Sequence, residues 1–490
     1  MARVKLTGYA PDADPVNPGV VVNCAAMVPS MKGLKGAPGA INSPIAALES
    51  AARGAALVRK LDDTTRMFAG TSTAIWEAGA SSWTDVSRTV GGDYTLGTGL
   101  KWRFAQYGNT SLAIQKADKL QFSTTSGAFE NVTAAPKASG VEVVGQFVFL
   151  WDTNEATYSD SPDRWWCSAS GDFQDWTTSI TTECATGRLI GSPGPIKSMR
   201  KFGDQVVAYK ARSMHVGTYQ GSPDVWRFDE IPVEVGAVSH EAVVNVGTET
   251  DPRHIFMGYE DFYSFDGSRP VPIGTGWVKE TVFKEVSLNY AYAAVGVQDR
   301  INSRIYFYYP SGEAATLDKC VVYNYKTGQW GRDDRTIECA LDWVSPGVTY
   351  DGLGSLYGTY DELPDLTYDS AFFKVGIPVP AIFNTAHKLQ MLTGPSASSS
   401  ITTGDMGDEE QVTTVTRIRP LFIRKPTTSN VANFYRMNLG DAISTDVLSP
   451  YGDGKYDLLR SARWHRFRFD FTGDWEMSHI NVYAVPEGEQ

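Results

Sequence analysis

Long apolar runs are missing from this chain. No stretch approaches the roughly 20 residues that a helix needs to span a bilayer. The opening MARVKLTGYA carries no apolar segment, so no signal peptide is expected. Cysteine is scarce: Cys24, Cys167, Cys184, Cys320 and Cys339 make an odd five, with no CxxC pair and no zinc spacing. Free thiols in a protein assembled in a reducing cytoplasm are the expectation. Histidine is thin too. His215, His240, His254, His387, His465 and His479 show no helical metal spacing and no HExxH. GxSxG, Walker A and a dinucleotide-type glycine pattern are also absent. No catalytic, cofactor-binding or metal-ligating residue is therefore assigned, no cofactor is expected, and the expected role is not enzymatic. Basic charge is outnumbered, 44 Lys+Arg against 56 Asp+Glu, for a net charge of −12. That balance argues against a surface built to grip nucleic-acid phosphate. It leaves room for DNA passing nearby, because a negative wall repels it.

Aromatic residues (12%) and 46 glycines dominate what is present, a composition suited to turn-rich β structure. Between residues 67 and 176 one pattern occurs three times. Trp76 is followed seven positions later by Trp83, Phe122 by Phe129, and Trp166 by Phe173. The copies start 46 and then 44 residues apart, and Tyr323 with Trp330 echoes them later. Gly79, Gly127, Gly171 and Gly328 fall in the intervening loops. A strand-rich unit of roughly 40–50 residues is the signature of a β-propeller blade. Each pair reads as an outer-strand hairpin whose second aromatic tucks back under the blade.

Residues 1–65 read as an extended arm of the kind that binds a neighbouring subunit or domain. GYAPDADPVNPG is rich in proline, and Val20–Val22 can add a strand. Within the arm, residues 44–60 form the best helix candidate, with Ser43 as cap and Pro44 in the first turn; the alternative is a strand at residues 55–59 that opens the first blade. Residues 66–360 read as the propeller. Hairpin turns are expected at Gly108-Asn109, Gly145-Gln146 and Gly203-Asp204. The count is six blades, or seven if DWVSPGVTYDGLGSLYGTYD forms another. Residues 361–490 read as a C-terminal β-rich domain. It includes an exposed Ser/Thr-rich stretch at residues 396–403, a candidate for a channel constriction, and a half-buried strand in which Trp464, Phe467, Phe469 and Phe471 alternate with His465, Arg468 and Asp470. The fold class is thus all-β: a propeller with an extended N-terminal arm and a C-terminal β domain.

Chemistry is sparse. Residues 168–176, SASGDFQDW, faintly match the Asp-box turn of sialidases, with Ser170 in place of the aspartate. Asp152, Asp160, Asp163, Glu260 and Asp261 are the acids a propeller glycosidase would draw on, and ordinary solvated loops are the plainer reading of each. Arg417, Arg419, Arg463, Arg466 and Arg468 are expected to form a salt-bridged face or a subunit contact, not a phosphate grip.

Five stretches carry a resemblance: PDADPVNPGVVVNCAAMVPSMKGLKGAPG, VAYKARSMHVGTYQGSPDVWRFDEIPVEVGAVS, FMGYEDFYSFDGSRPVPIG, VVYNYKTGQW and LLRSARWHRFRFDFTGDWE. Together the chain resembles the tail nozzle (tail hub, or packaged-DNA stabilisation) proteins of short-tailed bacteriophages. The resemblance implies a virion tail protein, assembled in the bacterial host cytoplasm into a homo-hexameric ring below a tail adaptor. It implies contacts with tail fibres and transiently with the host surface. Double-stranded DNA would pass through the channel without sequence-specific binding. The family has no catalytic residues to carry over. The alternative is a tail-associated propeller that binds or cleaves host surface carbohydrate; a cellular propeller scaffold is a third reading.

Overall fold

A computed structural model describes residues 2–344, 378–451 and 454–489. The chain is almost entirely β, and its strands form seven antiparallel meanders arranged as propeller blades. Blade 1 is Ala55–Arg59, Thr65–Gly70, Ile75–Ala78 and Trp83–Asp85. Blades 2 to 6 begin with the innermost strands Arg103–Tyr107, Lys137–Val144, Ser198–Phe202, Val243–Asn245 and Val295–Asp299. Blade 7 begins with Ile337–Val344, which packs on the first strand of blade 1 and closes the ring. The count of seven takes the larger of the two expected numbers. Of the stretch that suggested the extra blade, residues 342–344 lie in that innermost strand and the rest falls outside the described residues.

The ring is locked by a strand from far away in sequence. Blade 7 takes Gly39–Asn42 as its outermost strand, with Ile41 opposite Met391 and Asn42 opposite Gln390. This corrects the reading of residues 44–60 as a helix. Ala55–Arg59 is the first strand of blade 1, the alternative reading, and residues 43–54 carry no regular element. Alanine content favoured a helix, but pairing with Thr65–Gly70 overrides that weak preference.

The three anticipated turns all join the first and second strands of their blades, with Gly108, Gly145 and Gly203 at φ of 57–60°. The aromatic pairs have a specific job. In each, the second ring meets a phenylalanine of the preceding blade. Trp83 lies 5.9 Å from Phe383, Phe129 5.1 Å from Phe68, Phe173 5.4 Å from Phe122, and Trp330 5.0 Å from Phe262. A fifth pair at the same spacing, Tyr219 and Trp226, places Trp226 4.9 Å from Phe149. These contacts bury the large apolar area that joins blade to blade. Blade 3 departs in one respect: Phe173 sits in a loop ahead of the outer strand Ala185–Arg188.

The remaining strands build a sandwich on the flank of blade 6. One sheet runs without a break from blade 6 through Met27–Pro29 and Leu34–Gly36 into Glu476–Glu489, Gln411–Arg424 and Tyr456–Ala462, ten strands in all with Ala2–Lys5. The other sheet contains Val21–Ala25, Ser398–Thr403, Trp464–Thr472, Thr428–Arg436 and Ser444–Leu448, with Met406–Gly407 beside Trp464–Thr472. One continuous core spans both lobes, from Phe262 and Trp330 through Tyr9, Met27 and Leu34 to Phe469 and Trp475. The N-terminal arm is therefore consumed within its own chain. Asp12 accepts hydrogen bonds from Glu280 N and Thr281 N at the first turn of the short helix Lys279–Glu285, and Arg332 holds both Tyr9 and Glu285.

Two expectations for the C-terminal region change. The Ser/Thr run is not an exposed loop: Ser399, Ile401 and Thr403 are buried in a strand between Val21–Ala25 and Trp464–Thr472. In the latter strand the core-facing parity is His465, Phe467, Phe469 and Phe471; Trp464 is buried from the opposite parity. His465 is tolerated inside because Thr413 O lies 3.2 Å from Nε2.

Candidate functional site at the mouth of the propeller

The innermost strands start on one face of the ring, and their leading residues surround the mouth of its central hole. Two adjoining cavities of about 430 and 420 Å³ open there and share Leu100, Lys101 and Tyr292. A propeller concentrates strand ends at this point, so side chains from distant parts of the sequence converge.

They converge here as charge. Arg103 of blade 2 donates from Nε to Glu241 of blade 5 at 2.8 Å, across the ring. Lys101 donates to Ala293 O at 2.8 Å and stands 3.7 Å from Glu241. Burial raises the Glu241 carboxyl, but Arg103 and Lys101 outweigh it and hold the group well below the usual carboxylate range. Glu142 of blade 3 moves the other way: burial raises it, opposed by Arg200 at 3.6 Å. Arg200 also donates to His240 O at 3.2 Å and leaves its Nε buried without a partner among the described residues. His240 hydrogen-bonds Ser198, and its pKa is lowered well below the ordinary histidine value by burial and then by Arg200 and Arg103. On the rim, Lys116 joins Asp152 at 2.6 Å and Asp160 at 2.9 Å. Asp152 is aimed inward by a bulge and a left-handed backbone, φ 53°.

The acids singled out in the sequence do not meet as a pair of free carboxylates. Asp152 and Asp160 share Lys116, Asp163 holds Arg188 at 2.8 Å, and Glu260 pairs with Arg212 at 3.3 Å. Asp261 is a buried turn anchor that accepts from Phe262 N, Gly274 N and Thr275. In the Asp-box-like stretch, Asp172 and Asp175 accept backbone N–H bonds two residues on, which is turn chemistry. The C-terminal arginines are tied down: Arg466 to Asp405, Arg417 to Asp457, Arg468 to Asp470, and Arg463 to Asn438. Arg419 lies in the long strand Gln411–Arg424. Among the described residues no cluster of His, Cys, Asp and Glu could hold a metal ion. All five cysteines are buried free thiols, and burial pushes Cys167 and Cys184 up to about 12. His254 is a core histidine, bonded to Tyr209 at 2.7 Å and Lys201 O at 2.9 Å, while His387 pairs with Glu338 and His215 stands 3.8 Å from Glu230. His479 lies opposite Leu421 and Lys5 in the ten-stranded sheet.

Lys101, Arg103, Glu142, Lys197, Arg200 and Glu241 were not singled out from the sequence. No motif joins them. Their one shared property, a charge at or just before the innermost strand of a blade, becomes visible once the blade boundaries are known.

No protein-family model matches the chain, and no curated protein does either. Among solved structures, the chain is similar to the computationally designed Ika8 protein at 11% identity, covering 72% of this chain and all of that one with a TM-score of 0.34. It is similar to the Pan2 WD40 domain of Neurospora crassa at 7% identity, covering 69% and 87% with a TM-score of 0.35. It is also similar to an exo-β-1,3-galactanase from Phanerochaete chrysosporium at 10% identity, covering 92% and 100% with a TM-score of 0.26.

Proposed function

We propose that this chain is a structural virion protein that forms the distal tail tube, or nozzle, of a short-tailed phage. In this reading it retains the packaged genome and conducts DNA out during ejection. The reading rests first on the family resemblance of the five stretches quoted above. The structural observation that carries it is a sandwich edge that looks unfinished. Ser444–Leu448 and Tyr456–Ala462 each end a sheet, Arg460 of one bonds Asp446 of the other, and they expose Val447 (77%) and Leu459 (79%). Exposed apolar side chains on free sheet edges invite another chain, and a second copy of this one is the occupant we assign. Six copies around an axis would enclose the DNA path. The hole of each propeller cannot serve as that path, since Arg103 and Glu241 bridge it. A tail adaptor above the ring, fibres at its side and the bacterial surface below are the partners this role implies.

Light scattering and negative-stain imaging of the purified chain, alone and with tails that lack it, test the proposal. A six-fold ring with an axial hole, formed alone or on the tails, is expected. A monodisperse monomer that ignores the tails would overturn it. The runner-up, a tail-associated carbohydrate-binding or carbohydrate-cleaving propeller, draws on the charged cavities at the channel mouth.

A further inference from the structure

The cavity of about 420 Å³ at the mouth contains one cation without a counterion. Its lining includes Lys101, Arg103, Lys116 and Lys197, against the single carboxylate Asp152. Three of these cations are occupied: Lys101 and Arg103 share Glu241, and Lys116 is held by Asp152 and Asp160. The Lys197 ammonium makes no ion pair and no hydrogen bond among the described residues. Burial lowers its pKa, with Asp152 acting in the opposite sense. That ammonium is only partly buried and no fixed partner neutralises it, so an anion from outside the chain can complete it.

The rest of the wall says what that something is. Tyr292 presents a ring and a hydroxyl that makes no hydrogen bond among the described residues, and Thr98 adds another hydroxyl; Ser139 and Ser239 already donate to Asp152 and to Ala294 O and offer acceptor lone pairs only. Gly99 lies against the phenol so closely that a Cβ there would meet Tyr292 Oη at 2.9 Å. One uncompensated positive charge suits a monoanion better than a phosphate dianion. The volume far exceeds a bare carboxylate, and a wall that offers the Tyr292 and Thr98 hydroxyls, two serine acceptors and one aromatic face suits a sugar ring better than an alkyl chain.

We propose that this cavity binds a carboxylate-bearing sugar, with the carboxylate on Lys197 and a ring hydroxyl on Tyr292. The adjoining cavity of about 430 Å³, continuous through Leu100 and Tyr292, gives room for a second sugar unit. The site goes beyond the nozzle role and does not depend on it.

Calorimetric titration of the full chain with glucuronate, glucose and inorganic phosphate tests this. Saturable glucuronate binding, with glucose at least about tenfold weaker, is expected from one charge-assisted contact. Lys197→Met should weaken glucuronate by about tenfold or more and leave glucose unchanged, and Lys197→Arg should restore most of the loss. Tyr292→Phe should cost a smaller factor, and it keeps the test decisive if Lys197→Met fails to fold, as judged by its melting curve. Equal binding of glucose and glucuronate, phosphate binding tighter than glucuronate, no saturable glucuronate binding, or full affinity in a folded Lys197→Met variant would each overturn the proposal.

Discussion

The bridge across the propeller mouth makes the most exacting prediction. Arg103 and Glu241 are 16% and 19% exposed, so water screens them only in part. Two unit charges about 4 Å apart at an effective dielectric near 20 attract by about 4 kcal/mol, and desolvation of both groups offsets much of that. Arg103→Met leaves Glu241 with Lys101 at 3.7 Å, so the loss should stay below the 3–5 kcal/mol typical of an orphaned buried charge, at about 2 kcal/mol. Glu241→Gln leaves two cations facing each other and should cost about 3 kcal/mol. The double variant should lose about 2 kcal/mol less than the sum of the singles. Urea unfolding gives the totals, and hydrogen exchange in peptides covering residues 97–105 and 238–245 locates them. The pH sign is fixed. A carboxyl held below its unfolded value of 4.5 stabilises the fold above that value, and its contribution is lost as pH falls. The penalty of Arg103→Met should therefore shrink in acid. Single effects that add to within about 0.5 kcal/mol would refute the bridge as a coupled unit.

Trp226→Leu and Phe149→Leu should each destabilise the contact of blades 3 and 4, with a coupling of about 1 kcal/mol in a double-mutant cycle; the same cycle on Trp226 and Phe68, of blades that are not neighbours, should show none. Ile41→Pro removes a ladder donor and a core side chain from the strand that locks the ring, so blade 7 peptides should lose exchange protection by about 3 kcal/mol while the sandwich keeps its own. Burial takes His254 down to about 3, so it stays neutral in the fold while the unfolded chain protonates near 6.5. Stability should then fall steadily from pH 6.5 towards 3, and His254→Gln, if folded, should flatten that part of the thermal-unfolding profile.

What could be read from the sequence was local. A turn such as Gly108-Asn109 is decided by a glycine for which positive φ is cheap, and a hairpin follows. The aromatic spacing of seven is visible because a third strand, a short loop and an outer strand occupy a fixed length; Tyr219 and Trp226 obey the same rule within GTYQGSPDVW, where the turn residues mask it. Misreadings arose where a distant partner decides. Residues 55–59 look helical until Thr65–Gly70 is placed beside them. Ser398–Thr403 has the composition of a loop, yet small and β-branched residues fit between two strands supplied from positions 21–25 and 464–472. The charged mouth was illegible for the same reason: Arg103 and Glu241 are 138 positions apart.

The arm that locks the ring also sets the timing of assembly. Val21–Ala25 pairs with Ser398–Thr403, and Ala2–Lys5 pairs with a strand beginning at Glu476. At about 5–20 residues per second, a ribosome needs roughly 20–75 seconds to travel from the first of these segments to its partner. During that interval the blades can form one after another, while Val21–Ala25 and Ala2–Lys5 wait without their sandwich partners. The strands after residue 398 thus decide when Val21–Ala25 and Ala2–Lys5 find their partners, and a nascent chain that stalls before residue 398 leaves that sandwich edge open.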